Sequence, residues 1–258
     1  MHPFSRTSIS NVGIFILMFY LIQFPALCFK CAWPTTTSQN AYKYSPSHAC
    51  NARHQFPQKQ KKTKMNSTRN ISIGGTMITT TITNNPTLID SKIEELKRIS
   101  NPIIGLDVES KPDVSHGPTP NKASLLQLCN GSICLIIQLS HLPRIPNSLK
   151  SFLCQSNVTF VGVGIEADKA KLLADYGVAC GKVVELGGLA SRVYKKAEYE
   201  KYGLADLASK IAGVSVEKPQ HVRVGDWSVG TLDEEQIKYA TVDAYASFAV
   251  GKVLMGVK

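Results

Sequence analysis

The chain has 258 residues, of which 43% are hydrophobic and 19% charged. That allows one ordinary domain plus an extension, and it excludes both global disorder and a motor joined to a second catalytic domain. The formal charge is +10, yet residues 1–64 hold eight basic residues and no acid, which leaves only +2 on residues 65–258. The basic balance therefore describes the N-terminal extension and says little about the folded part.

In the extension, Val12 to Phe29 is an apolar run after Arg6, and Gln23 and Pro25 interrupt it. It reads as a signal sequence or membrane anchor. Pro34 to Lys64 is polar and turn-rich and is predicted to be disordered. The acid-free leader also resembles an organellar transit peptide, and Met65 offers a later start of translation. Lys59 to Lys64 is a basic cluster of the nuclear-import type or a solvated linker. Cys28 and Cys31 have zinc-ligand spacing, but no second pair follows. The expected division is an extension over 1–64 and one domain over 65–258. The expected location is nuclear or cytoplasmic, or a membrane or organelle if the 12–29 run is an anchor.

Thr76–Thr83 is β-branched and predicts a strand. Pro86 to Ser100 has helical spacing through Leu88, Ile89, Ile93, Leu96 and Ile99. Pro102–Val108 predicts a buried strand that runs into acids. Ala123–Cys129 and Ser132–Gln138 flank Asn130-Gly131, a hairpin signal because both turn residues accept positive φ. Further on, the pattern predicts a helix over Pro146–Cys154, a strand over Val158–Val163, a helix from Glu166 to Tyr176 and a strand over Lys182–Leu186. Helices over Gly203–Ile211 and from Asp233 to about Val257 complete the chain. The last begins with a capping box, Asp233 and Gln236, and Leu232 can staple onto Ile237. This order predicts an α/β domain, a mixed sheet with helices on both faces.

Four acids stand at the ends of these elements. Asp107 and Glu109 fall on one face of their strand, about 7 Å apart, and would repel unless a cation lay between them. That pattern points to a divalent-metal site with hard oxygen ligands, or to two acids leaving the strand into Ser110-Lys111-Pro112. Asp168 sits in the first turn of its helix, where an acid also favours the helix dipole. Asp243 follows Tyr239 by four residues, so phenol and carboxylate share a helix face with Ala240 and Ala244. A carboxylate on a packed face is costly unless paired or metal-bound.

Asp107-x-Glu109, Asp168 within FVGVGIEADKAKL and Tyr239-x-x-x-Asp243 within YATVDAYAS together resemble the three motifs of the DEDDy 3′–5′ exonucleases, and within them the plant Werner syndrome-like exonucleases. The resemblance covers about residues 70–258. It includes Leu126-Gln127-Leu128, Gly203-Leu-Ala-Asp-Leu207, and Lys218 followed by Trp227. It implies an RNase H-like mixed sheet of five to six strands and hydrolysis of phosphodiester bonds at nucleic-acid 3′ ends. Asp107, Glu109, Asp168 and Asp243 would hold two Mg²⁺ or Mn²⁺ ions, and Tyr239 would orient the attacking water. Partners would be DNA or RNA 3′ ends and nucleic-acid-processing proteins. The sequence departs from the family at Ser110, where an aromatic residue is usual, and at Gly230, where an Arg often stands.

Two other readings compete. Gly162-x-Gly164-x-x-Ala167 imitates a dinucleotide-binding fingerprint, with Glu185 about twenty residues on, but Glu166 and Asp168 would face the pyrophosphate with the wrong sign. A catalytically weak or inactive nucleic-acid or protein adaptor on the same fold is supported only by Ser110 and Gly230.

Overall fold

In the computed structural model, residues 66–98, 102–112 and 120–257 are described. They belong to the second of two units, Gln58–Lys258. The expectations for residues 1–64, including the 12–29 run and the 64/65 boundary, lie outside them.

Strands β1 (Ser67–Ile73) and β2 (Thr76–Thr83) form an antiparallel hairpin. Gly74 and Gly75 make its two-residue turn with φ +56° and +83°, a geometry only glycine adopts without strain. Helix α1 (Pro86–Lys97) starts where Asn85 accepts hydrogen bonds from the Thr87 and Leu88 amides, with Pro86 at its first position. Strands β3 (Ile103–Ser110), β4 (Ala123–Cys129) and β5 (Ile133–Gln138) follow as an antiparallel meander. Gly131 has φ +100°, but Asn130 does not adopt positive φ. Its side chain instead accepts from the Ser132 and Ile133 amides and closes the turn.

The second half alternates. Helix α2 (Asn147–Leu153) leads to β6 (Thr159–Gly162), then α3 (Ile165–Tyr176), β7 (Lys182–Glu185) and α4 (Leu186–Tyr194). The helix expected over Gly203–Ile211 is split into α5 (Leu204–Leu207) and a π turn over Ala208–Ala212. Helices α6 (Gln220–Arg223) and α7 (Glu234–Leu254) follow. The capping box of α7 forms as expected: Asp233 Oδ1 accepts from the Gln236 amide at 2.8 Å, and Gln236 Oε1 accepts from the Asp233 amide at 3.2 Å.

The sheet has seven strands in the order β1-β2-β5-β4-β3-β6-β7. That corrects the expected five to six. The additional strand is β1, an edge strand with only Ile71 and Ile73 as apolar residues, so it carries little hydrophobic signal. Strands β3, β6 and β7 are parallel, as are β2 and β5. One core face holds Ile78, Ile82, Ile103, Leu125 and Ile136 under α7. The other holds Ile104, Leu106, Leu126, Leu128 and Phe160 with α1, α2 and α3. Alternation along β3 thus sends Ile103, Gly105, Asp107 and Glu109 toward α7.

Candidate active site

The site forms where the carboxyl end of β3 meets the middle of α7. A Cβ placed on Gly105 would collide with the Ala244 carbonyl and lie 2.6 Å from the Phe248 amide nitrogen. The missing side chain is what lets α7 descend onto β3, one strand repeat before Asp107. Asp243, next to Ala244, is thereby brought over the two β3 acids. One ligand atom from each of Asp107, Glu109 and Asp243 lies within 4.8 Å of the other two.

The electrostatics are those of crowded, desolvated carboxylates. Burial, then the charges of Asp243 and Asp168, holds Asp107 well above the usual carboxylate range, although the Val108 amide donates to it. Burial, then Asp107 and Asp243, pushes Glu109 up to about 9. Asp243 is raised by burial and held down by Lys218. Lys218 Nζ lies 2.9 Å from Asp243 Oδ2, an ion pair whose carboxylate side chain is only 5% exposed. One ammonium cannot neutralise three neighbouring carboxylates. The group therefore fits a hard divalent cation, for which clustered carboxylate oxygens are the ordinary ligands.

Tyr239 is buried one helical turn before Asp243, on the same face of α7. Its ring packs on Trp227 at 5.6 Å between centroids, and Lys218 Nζ lies 5.6 Å from its centre. Burial, followed by the charges of Asp243, Glu109 and Asp107, raises the phenol far above its usual value. The hydroxyl therefore remains a donor and cannot serve as a base.

Asp168 stands outside the three-acid group. It lies in the first turn of α3, beyond the end of β6, and its charge still acts on Asp107 and Glu109. Burial, then Glu185, raises it to about 7. Glu185 Oε2 also accepts from the Gly164 and Ile165 amides at 2.8 and 3.2 Å. A carboxylate of the chain itself thus occupies the α3 N-terminus, where a dinucleotide pyrophosphate would have to bind. That rules against the cofactor fingerprint.

The sequence alone gives Lys218 no role and does not single out Gly105. A glycine inside a buried strand, two residues before an acid, was the available signal for a close backbone approach. Ser110 follows a break in the β3–β4 register between Glu109 and Ser110. A Cβ on Gly230 would meet nothing closer than the His141 ring at 3.9 Å.

The family model described as 3′–5′ exonuclease matches residues 80–256. The chain belongs to the 3′–5′ exonuclease family. It is 33% identical over 224 residues to a 3′–5′ exonuclease of Arabidopsis thaliana, covering 84% of this chain and 72% of that one. It is 33% identical over 149 residues to the bifunctional 3′–5′ exonuclease/ATP-dependent helicase WRN of Mus musculus, covering 57% of this chain and 10% of that protein. Among solved structures it resembles Escherichia coli RNase D, an exoribonuclease, with a TM-score of 0.58 and 21% identity over 68% of this chain and 44% of that one. At that identity the likeness shows the RNase H-like fold, as expected from the motifs. Family membership makes this exonuclease domain a hydrolase acting on nucleic acids, and the adaptor reading is not favoured.

Proposed function

We propose that the chain is a metal-dependent 3′–5′ exonuclease of the DEDDy type, related to the plant Werner syndrome-like enzymes. The observation that carries this reading is the three-carboxylate group with Tyr239 one helical turn before Asp243. Asp107, Glu109 and Asp243 would hold the first divalent ion, Mg²⁺ or Mn²⁺. Asp168, set apart yet electrostatically coupled, would help to hold a second. Bound there, the ions supply an activated water and stabilise charge on the departing 3′ oxygen. The residues of the chain do the rest. Tyr239 holds a proton at neutral pH and orients the water by donation. Lys218 fixes Asp243 through its ion pair and offsets part of the repulsion among the acids. Burial keeps the carboxylates poorly solvated, so that a cation gains more from them than it would in water.

Nucleic-acid 3′ ends are the proposed substrate, and nucleic-acid-processing proteins are the proposed partners. Among the described residues no helix is long and apolar enough to cross a membrane. We place the protein in the nucleus or cytoplasm, unless the 12–29 run anchors it to a membrane or directs it to an organelle. Fluorescent fusions of the full chain and of residues 65–258 test that placement: membrane signal from the full chain alone overturns it.

The activity is tested with the purified full chain and 5′-labelled oligonucleotides. Stepwise shortening from the 3′ end should stop in EDTA and return with Mg²⁺ or Mn²⁺. Asp107→Ala should lower the rate by on the order of 10³-fold, since loss of a metal ligand removes several kcal/mol of stabilisation. Undiminished cleavage in EDTA would refute the reading.

A further inference from the structure

Asp107 and Gln127 are direct partners across the antiparallel pair of β3 and β4. Directly opposite residues leave the sheet on the same face, with Cβ atoms about 4.5–5.5 Å apart. Gln127 therefore projects toward α7 beside Asp107, between Leu125 and Cys129 of its own strand and opposite Ile136 of β5. It is fully buried, and neither Nε2 nor Oε1 has a hydrogen-bond partner among the described residues.

A buried amide with both ends unpaired is costly, and leucine would fill the same volume without that cost. Several other polar groups of this face are engaged, although Gln138 Oε1 is also unpaired. The Thr80 and Thr241 hydroxyls lie 3.1 Å apart, and Thr241 donates to the Ile237 carbonyl at 2.7 Å. Asp107 differs. It meets the charges of Asp243 and Asp168, and Lys218, whose charge offsets them, is bonded to Asp243, so Asp107 has lone pairs to spare for a donor. The nearest strand partner able to donate from a side chain is Gln127. In metal sites, a neutral group that donates to a ligating carboxylate fixes its orientation without competing for the cation.

We propose that Gln127 is a positioning residue of the metal site. With the cation bound, its Nε2–H, unpaired in this structure, turns to donate to the Asp107 carboxylate and holds the remaining lone pairs of that carboxylate toward the cation. The inference rests on the reading of Asp107 as a metal ligand. It assigns to Gln127 no contact with substrate.

The test uses the full chain with Gln127→Leu and Gln127→Met, both close in volume and unable to donate. Mn²⁺ binding is measured by calorimetry and thermal unfolding is followed in EDTA. The expected result is a Mn²⁺ dissociation constant raised roughly 10- to 100-fold, the usual scale for groups that orient a ligand. The melting temperature in EDTA should be unchanged or higher, since two unpaired groups are removed. In steady-state cleavage kcat should fall while KM for the oligonucleotide stays put. Added to Asp107→Ala, Gln127→Met should bring no further loss of Mn²⁺ binding. If Gln127→Leu does not fold, Gln127→Met decides. Wild-type Mn²⁺ affinity in Gln127→Met, with or without a lowered melting temperature, overturns the inference and leaves the exonuclease reading intact. Wild-type protein that binds no Mn²⁺ overturns the metal reading itself, and the role of Gln127 with it.

Discussion

Gly105 on β3 and Phe248 on α7 approach so closely that a single added methyl group at Gly105 would lie 2.6 Å from the Phe248 amide nitrogen. The atoms it would meet, the Ala244 carbonyl oxygen and the Phe248 amide nitrogen, belong to the backbone of a helix that cannot give locally. Gly105→Ala should therefore lift α7 from the sheet at the point where it delivers Asp243. Overpacking of this kind costs at least about 1–3 kcal/mol of stability. The larger effect should be on the site, because small displacements of a ligand are expensive. Thermal unfolding and cleavage assays check both. A variant with native stability and full activity would show that the helix–strand spacing has slack.

Tyr239→Phe should be milder than Asp243→Asn. The ring keeps its packing on Trp227, and only the hydroxyl proposed to orient the attacking, charge-developing water is lost. A hydrogen bond to a charged group is worth about 1.5–3 kcal/mol, so the rate should drop roughly 10- to 100-fold. Asp243→Asn removes a ligand and should cost on the order of 10³-fold or more. Single-turnover rates at saturating Mg²⁺ measure the difference. Equal losses would mean that Tyr239 does more than hold a water in place.

Residues 65–258 alone should retain EDTA-sensitive cleavage, because all four acids and Tyr239 lie within them. The removed segment carries +8. Each phosphate contact contributes a salt slope of about −0.7 on single strands and about −0.9 on duplex DNA. Truncation should therefore weaken nucleic-acid binding at low salt and flatten its salt dependence. Loss of cleavage at saturating substrate would show that the extension belongs to the catalytic domain.

The legible parts of this fold are those where a local signal and a tertiary role coincide. Asp107 and Glu109 announce themselves because an alternating apolar strand ends in two acids on one face. Asp233 and Gln236 mark the start of α7 because capping is decided within four residues. The strand β1 escapes because an edge strand needs few apolar residues. Helix α4 escapes because Leu186-Gly-Gly-Leu189 has the composition of a loop, and only packing against the rest of the domain makes it helical. Gln127 sits in an apolar run, where its polarity looks like an exception. Only the strand register reveals that it faces Asp107. Asp168 belongs with the other three acids by motif, and only the structure shows that it stands beside Glu185 and outside the group formed by Asp107, Glu109 and Asp243.

The same crowding predicts an unusual pH dependence of stability. Burial, then Asp107 and Asp243, raises Glu109 to about 9, while burial, then Glu185, raises Asp168 to about 7. In the unfolded chain these acids titrate near about 4.3 and 3.9. Between the unfolded and folded values, the metal-free native state holds protons that the unfolded chain has released. Stability must then fall as pH rises. The contribution is fully present below about pH 4. It is lost through about pH 7 for Asp168 and through about pH 9 for Glu109. Mg²⁺ binds the ionised carboxylates and competes with those protons, so its stabilising effect should grow over the same interval. The melting temperature in EDTA should decline from pH 5 to pH 9, and the gain on adding Mg²⁺ should widen. Asp107→Ala removes the neighbouring charge that acts most on Glu109 and should flatten the EDTA profile. A wild-type melting temperature in EDTA that rises steadily across this range would mean that these acids are ionised in the metal-free fold, and that the repulsion is relieved by some group other than a cation.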